Sequence, residues 1–402
     1  MKVIDSLRLR ALENGVIDNS LKRYFDAEIK TAHAVIPIQI RLKGDWVDHL
    51  KGDKWSFRIK VKPGFSFNGL KSFSIQSPHT RSFLEEYVLH KLFEQEDVLT
   101  TRYDFSPIML NGKNLGIYAI EEHFDKQLLE AKRRREGPIL KLDEGGHWEQ
   151  VLYNLKNDKK RHIPSYEAAA VLPFKKGRTI SSEALYHQFL IAQNLMFQYK
   201  NNADNPQELF DVELMAKYYA ILDVGRVHHS IHWHNHRFYY NPITSRLEPI
   251  AFDCNSEPIP GIVRLPIAGF RQVHGAKNPS FQNLLFYNVA NNSDFQHHYL
   301  RYLKAYSNKQ FLDLFFEKIA DNVRELNLLL SPEFGGYTYS SKNYYKTADA
   351  IIEALPDFEN SINSDAINFN APRPNYVVDK KNPVYFYETG LKAYLSSFED
   401  SI

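Results

Sequence analysis

The stretch NHRFYYNPITSRLEPIAFD, residues 235–253, decides how the chain is read. Pro242, Ile243, Thr244 and Ser245 form a turn signal between two runs, in which Phe238, Tyr240, Leu247 and Ile250 supply the bulk that favours strands, so the segment is a β-hairpin. Counting outward from the turn, Asn235 falls opposite Phe252 and Asp253. The polar residues therefore gather at the open end of the hairpin. An amide oxygen and a carboxylate held together there suit a hard divalent cation such as Mg²⁺, which prefers oxygen ligands and retains waters for a phosphate-bearing substrate. A carboxylate ending the apolar run PIAFD also needs a partner if it is buried.

Immediately upstream, HHSIHWHNH (228–236) holds five of the sixteen histidines. His228 and His232 are four apart, as on one helical face, whereas His232, His234 and His236 alternate, as on one strand face. A zinc-binding hydrolase using His228–His236 is therefore an alternative, although H-E-x-x-H is absent and one residue cannot serve a helix and a strand at once. The third option is that these imidazoles satisfy buried polar groups or cover aromatic rings.

DVELMAKYYAILDVGRVHH leads into this stretch as a helix. Toward the N-terminus, VIPIQIRLKG and WSFRIKVKPG read as paired strands. In the second, Trp55, Phe57, Ile59 and Val61 alternate with Ser56, Arg58, Lys60 and Lys62, so one face is buried and cations line the other. RSFLEEYVLHKLFEQED is a helix with Ser82 as candidate N-cap. The Asn111-Gly112 pair between YDFSPIML and NLGIYAIEEHF marks a type I′ hairpin. Residues 1–34 form a charged helical lead-in, 35–145 a β-rich small lobe with one helix, and 146–402 a mainly helical large lobe that carries the hairpin 235–253. The fold class is α+β.

The 402 residues include 50 basic and 48 acidic side chains, a net charge of +2, so no overall field points to nucleic acid or an anionic membrane. Cys254 is the one cysteine and can form no internal disulfide, which fits a reducing compartment or an envelope protein without disulfides. No stretch approaches the roughly 20 apolar residues of a spanning helix, so no integral membrane segment is expected.

The order IRLKG, WSFRIKVK, helix, LNGKNLGIYAIEEHF, ELMAKYYAILDV, then NHRFYYN leading to LEPIAFD resembles the spore coat protein H (CotH) kinase-like family over roughly residues 35–260. The resemblance implies an atypical two-lobed kinase fold that binds ATP and Mg²⁺ or Mn²⁺ and phosphorylates Ser or Thr of an unidentified protein, in a bacterial spore-coat, envelope or cell-surface setting. It implies Lys60 as the phosphate lysine, with Arg58 beside it, Glu86 as its partner with Glu85 as an alternative, and a recurrent Glu122. Asn235, Asp253 and Asn255 fall at the metal positions, Asn255 replacing a commoner aspartate, which weakens the cation site. Ordinary kinases carry the base five residues before the metal-binding asparagine, where this chain has Ser230 preceded by His229. His229 serves as the base, or Asp223 on the preceding helix substitutes, or the chain is a catalytically impaired, pseudokinase-like binding module.

Overall fold

The computed structural model describes residues 1–157, 161, 163, 166–201, 205–227, 229–254, 285, 289–290 and 292–363, and the backbone of 385–388 and 391–394. Helix α1 (Lys2–Asn14) ends at Gly15, which takes a left-handed φ of 78°. Strands β1 (Phe25–Lys30), β2 (Val35–Leu42), β3 (Phe57–Val61), β4 (Ser72–Gln76), β6 (Tyr103–Leu110) and β7 (Lys113–Glu122) form an antiparallel sheet in the order β1-β2-β3-β4-β7-β6. Residues 25–30 were expected within the helical lead-in but form an edge strand. The reason is period-two patterning: Phe25, Ala27 and Ile29 pack on the core while Asp26, Glu28 and Lys30 face out.

The expected pairing of 35–42 with 57–61 is present, with Ile40 opposite Ile59 and Arg41 opposite Arg58. Alternation then assigns each face. Ile38, Ile40, Phe57, Ile59, Phe73, Ile75, Tyr118 and Ile120 bury one side against Ile4, Leu7 and Ala11 of α1. On the other side, register aligns Arg41, Arg58, Ser74, Glu121 and Tyr103 in one row across five strands. The β6–β7 turn is built as its sequence demands, with Asn111 at φ 50° and Gly112 at φ 82°.

A second, mixed sheet runs β5 (Leu99–Thr100), β11 (Arg246–Ala251), β10 (Arg237–Asn241), β8 (Ile139–Leu142) and β9 (Val171–Pro173). Its centre is the hairpin quoted first, with Asn241 opposite Arg246. Residues 139–142, expected in the small lobe, pair with β10 instead. Apolar Ile139, Leu140 and Leu142 are all buried there.

Helix α2 (Leu84–Gln95) follows β4. After it come α3 (Lys126–Ala131), α4 (Gly145–Lys156), α5 (Lys176–Ser181), α6 (Glu183–Lys200), α7 (Pro206–Leu209) and α8 (Val212–Val224), then α9 (Ser293–Tyr306), α10 (Lys309–Leu330) and α11 (Lys342–Asn363). Leu89, Phe93, Met215, Tyr219, Leu222, Tyr299, Leu303 and Phe315 share one core, which joins α2 to the C-terminal helices. The architecture is α+β, a six-stranded antiparallel sheet in the N-terminal half followed by a mostly helical part. Among the described residues no helix is long and apolar enough to cross a membrane.

Candidate functional site

The polar row of the first sheet, the start of α2 and the open end of the β10–β11 hairpin converge on a network of buried charges. Lys43 extends the polar face one pair beyond Arg41. Its Nζ donates to Glu121 Oε2 at 2.6 Å and to Gln76 Oε1 at 2.5 Å, and all three side chains are buried. Burial lowers the Lys43 ammonium from its ordinary range, against the opposing pull of Glu121. Glu121 is the mirror case: burial favours its neutral form, but Lys43 and Arg81 outweigh that and hold its carboxyl below the usual range. Half-buried Arg58 lies in the same row, separated from Glu121 by Ser74, and is pushed down to about 10 by burial, with Glu121 countering.

The chain leaves β4 through the 3-10 turn Pro78–Arg81, then places Ser82 and Phe83 at positive φ before α2 begins. This sharp reversal aims Arg81 inward. Its guanidinium lies 2.5 Å from Asp253 Oδ1 and 3.4 Å from Glu86 Oε2. Burial opposes the Arg81 charge, but Asp253, Glu86 and Glu121 more than compensate and raise its pKa. Glu86, on the first turn of α2, also accepts the Cys254 N–H at 3.2 Å and meets His90 Nε2 at 3.3 Å.

Asp253 sits just past β11 in the left-handed region, φ 57°, which aspartate tolerates better than most residues. Although burial favours its acid form, Arg81 and His229 hold its carboxyl well below the usual range, so it is ionised at neutral pH. His229 Nε2 contacts Asp253 Oδ2 at 3.0 Å, and the His229 carbonyl oxygen accepts from Asn235 Nδ2 at 3.0 Å. Asn235 and Asp253, both 6 % exposed, are thus joined through His229.

Five buried oxygens or nitrogens in the network, Asp253 Oδ1, Glu86 Oε2, Glu121 Oε1, Arg58 Nε and Arg81 Nε, make no aligned hydrogen bond among the described residues, although Arg81 is ion-paired to both Asp253 Oδ1 and Glu86 Oε2. Such groups are costly to leave unsatisfied. Together with the Asn235 amide, which spends its Nδ2 on the His229 carbonyl, they form a buried, oxygen-rich cluster backed by cations, a donor set of the type that suits a divalent cation and phosphate. Among the described residues, no group of three or more His, Cys, Asp or Glu side chains is placed to hold a metal by itself.

The other sequence-derived candidates fall elsewhere. Lys60 is exposed on β3, with Nζ 4.1 Å from the Tyr24 ring centroid. Glu122 is buried at the end of β7, where Arg102 grips both carboxylate oxygens at 3.0 and 2.6 Å. Asp223 accepts a hydrogen bond from Tyr299 on α9, and burial, countered by that bond, pushes its carboxyl up to about 8. Asn255 and His228 lie outside the described residues. Of the remaining histidines, His232 and His234 stack at 5.6 Å, and burial holds His234 well below the ordinary imidazole range, with His232 and His147 adding to it. A cavity of about 680 Å³ lies between α10 and the 331–342 segment, lined by Phe316, Asn327, Tyr337 and Tyr339, and contains none of the network residues.

Sequence reasoning missed Lys43, Arg81 and Glu121. Strand parity carried the signal for two of them. Lys43 shares its face with Arg41, and Glu121 falls opposite Tyr118 and Ile120, on the same side as Arg58. Arg81 left no such signal, since its aim depends on the paired positive-φ residues that follow it.

The CotH kinase protein family model matches residues 40–360. That span includes every residue of the network, and the chain belongs to this family. No curated protein matches it.

Proposed function

We propose that this CotH-family chain binds ATP with Mg²⁺ or Mn²⁺ against the buried charge network and passes the γ-phosphoryl group to a Ser or Thr hydroxyl of a protein. The observation that carries the reading is the convergence of Lys43, Arg58 and Arg81 with ionised Asp253 and the Asn235 amide, from the first sheet, the turn before α2 and the end of the hairpin, around buried carboxylate oxygens. Phosphoryl transfer needs positioning and charge neutralisation more than covalent help from the protein. Asp253 and Asn235 are the residues that would hold the cation through hard oxygen ligands. Lys43 and Arg58 would supply the positive charge for the polyphosphate, while Arg81 pairs with Asp253 and Glu86 holds Arg81 and accepts the Cys254 N–H. A bound divalent cation would neutralise charge building on the phosphate oxygens.

His229 is the base in this reading. In the tautomer that carries its proton on Nε2, facing Asp253, Nδ1 would be the nitrogen that takes the hydroxyl proton, and the carboxylate would orient the ring and stabilise the imidazolium. Nothing in the geometry draws Lys60 or Glu122 into the chemistry.

A second reading, a nucleotide-binding but catalytically impaired module, is favoured by Ser230, which stands where ordinary kinases carry an aspartate. Thermal unfolding of the purified chain with ATP and Mg²⁺, paired with transfer of labelled phosphate to a generic acceptor protein, separates the two. Stabilisation with transfer, both lost in Asp253→Asn, supports the kinase. Stabilisation without transfer supports the impaired module, and no stabilisation by any nucleotide rejects both.

A further inference from the structure

Far from the charge network in sequence, the segment after α10 reaches back onto the first sheet. Glu333 Oε2 accepts the Ile117 N–H at 2.6 Å, its Oε1 lies 2.7 Å from Lys54 Nζ, and Lys54 donates to the Ile117 carbonyl at 2.7 Å. This closed ring sits where β7 passes through Gly116 at φ 74°, and a Cβ there would lie 2.1 Å from Glu333 Oε2. One residue on, Phe334 packs edge-on to Phe83 at 5.1 Å, and Tyr337 stacks on the same ring at 4.2 Å. The Tyr337 hydroxyl oxygen accepts the Leu84 N–H at 3.1 Å.

Phe83 is the residue that this clamp grips, and it has φ 59° and ψ −108°, a backbone state that a bulky L-residue holds only when its surroundings over-determine it. It directly precedes α2, and three residues later comes Glu86, which receives the Cys254 N–H beside Asp253. Stack, hydroxyl and strained turn thus form one mechanical path from the C-terminal helices to the carboxylate behind the proposed nucleotide site.

We propose that residues 333–337 are a strap, anchored to β7 through Glu333, whose Tyr337 acts as a positioning residue, holding the strained start of α2 so that Glu86 and Arg81 stay aimed at the Asp253 end of the hairpin. The inference rests on the reading of the network as a nucleotide site, but it makes a separate prediction about the protein alone.

Residue-resolved hydrogen exchange of the full chain tests it, with the Cys254 amide reporting Glu86 placement. Tyr337→Ala is expected to speed exchange at both Leu84 and Cys254 about tenfold, the scale of one lost hydrogen bond, while Tyr219 and Ala220 in α8 keep their protection. The shift in unfolding temperature caused by ATP and Mg²⁺ should shrink in the same variant. Faster exchange at Leu84 with an unchanged Cys254 amide and an unchanged nucleotide response would overturn the strap. Should Tyr337→Ala loosen α8 as well, the same comparison is read in Tyr337→Phe, which keeps the stack and loses the acceptor, with the same two outcomes deciding. If the wild-type chain shows no nucleotide response, the nucleotide reading fails, and the two amides still decide whether the strap positions Glu86.

Discussion

Replacing Arg81 by Met removes the cation that faces Asp253 at 2.5 Å and Glu86 at 3.4 Å without shortening the side chain much. At that shorter distance, the Arg81–Asp253 attraction is about 7 kcal/mol for an effective dielectric constant of about 20. Much of it is offset by the cost of burying both groups, so stranding the carboxylate is expected to lower stability by roughly 3–5 kcal/mol. The assay is urea unfolding in EDTA and again in excess Mg²⁺.

A divalent cation bound at Asp253 supplies the charge that Arg81 supplied, so Mg²⁺ should restore more stability to Arg81→Met than it adds to the wild type. The pH dependence gives a second readout. Asp253 has its folded pKa depressed, so its contribution is fully present above the unfolded value and is lost as pH falls through the folded one. Without Arg81 that depression weakens, and the gap between variant and wild type should narrow as pH drops below about 4. Equal stability of the two proteins in EDTA would mean that the ion pair contributes nothing. Equal gains from Mg²⁺ would place the cation elsewhere and remove Asp253 from the proposed metal site.

Three further outcomes follow from the same geometry. His229→Ala should abolish phosphate transfer while leaving the ATP-dependent rise in unfolding temperature largely intact; retained transfer means that another group accepts the proton. Lys60→Ala, on an exposed lysine over Tyr24, should change stability by no more than about 0.5 kcal/mol and leave the nucleotide response as it was, as judged by thermal unfolding. Asp223, raised to about 8 by burial, holds a proton in the folded chain that the unfolded chain releases, so it makes stability fall as pH rises from about 4 to about 8. Asp223→Asn keeps an acceptor for Tyr299 and should flatten that slope, gaining on the order of 1 kcal/mol at pH 8.

Much of the fold was legible because two periodicities were clean. The Asn111-Gly112 and Pro242–Ser245 turns fixed both hairpins, and the alternation through Phe57 to Val61 fixed which face of β3 is buried. Residues 25–30 were read as part of the helical lead-in although FDAEIK alternates apolar and charged side chains, because a six-residue alternation beside a charged helix says little until a neighbouring strand pairs with it. The site was legible at the hairpin end, where turn counting already brought Asn235 near Asp253, and obscure wherever tertiary aim decides. Arg81 is the plainest example, because nothing local in SPHTRSF shows that two successive positive-φ residues will turn its guanidinium inward. Lys60 was the attractive choice on motif grounds, yet it is exposed over Tyr24 while Arg58, two residues earlier on the same face, lies in the row that holds Glu121.

Ser230 bears most directly on whether the chain transfers phosphate. Its side chain is fully buried, and its hydroxyl donates to the Asp253 carbonyl at 2.9 Å and lies 3.2 Å from the Cys254 thiol. An aspartate at 230 would turn a carboxylate toward that carbonyl oxygen, beside a second buried carboxylate at 253, and both contacts would repel it. The 3-10 turn His229–Ile231 instead presents the preceding side chain to Asp253, with the His229 imidazole part-exposed and paired at 3.0 Å. In this chain, then, the five-residue spacing falls on a position with a structural duty, and the position six before Asn235 holds an imidazole paired with Asp253. The backbone that makes an acid unfavourable at 230 also brings the His229 imidazole to Asp253, so on the proposed reading the departure from the usual spacing moves the base by one residue and does not remove it.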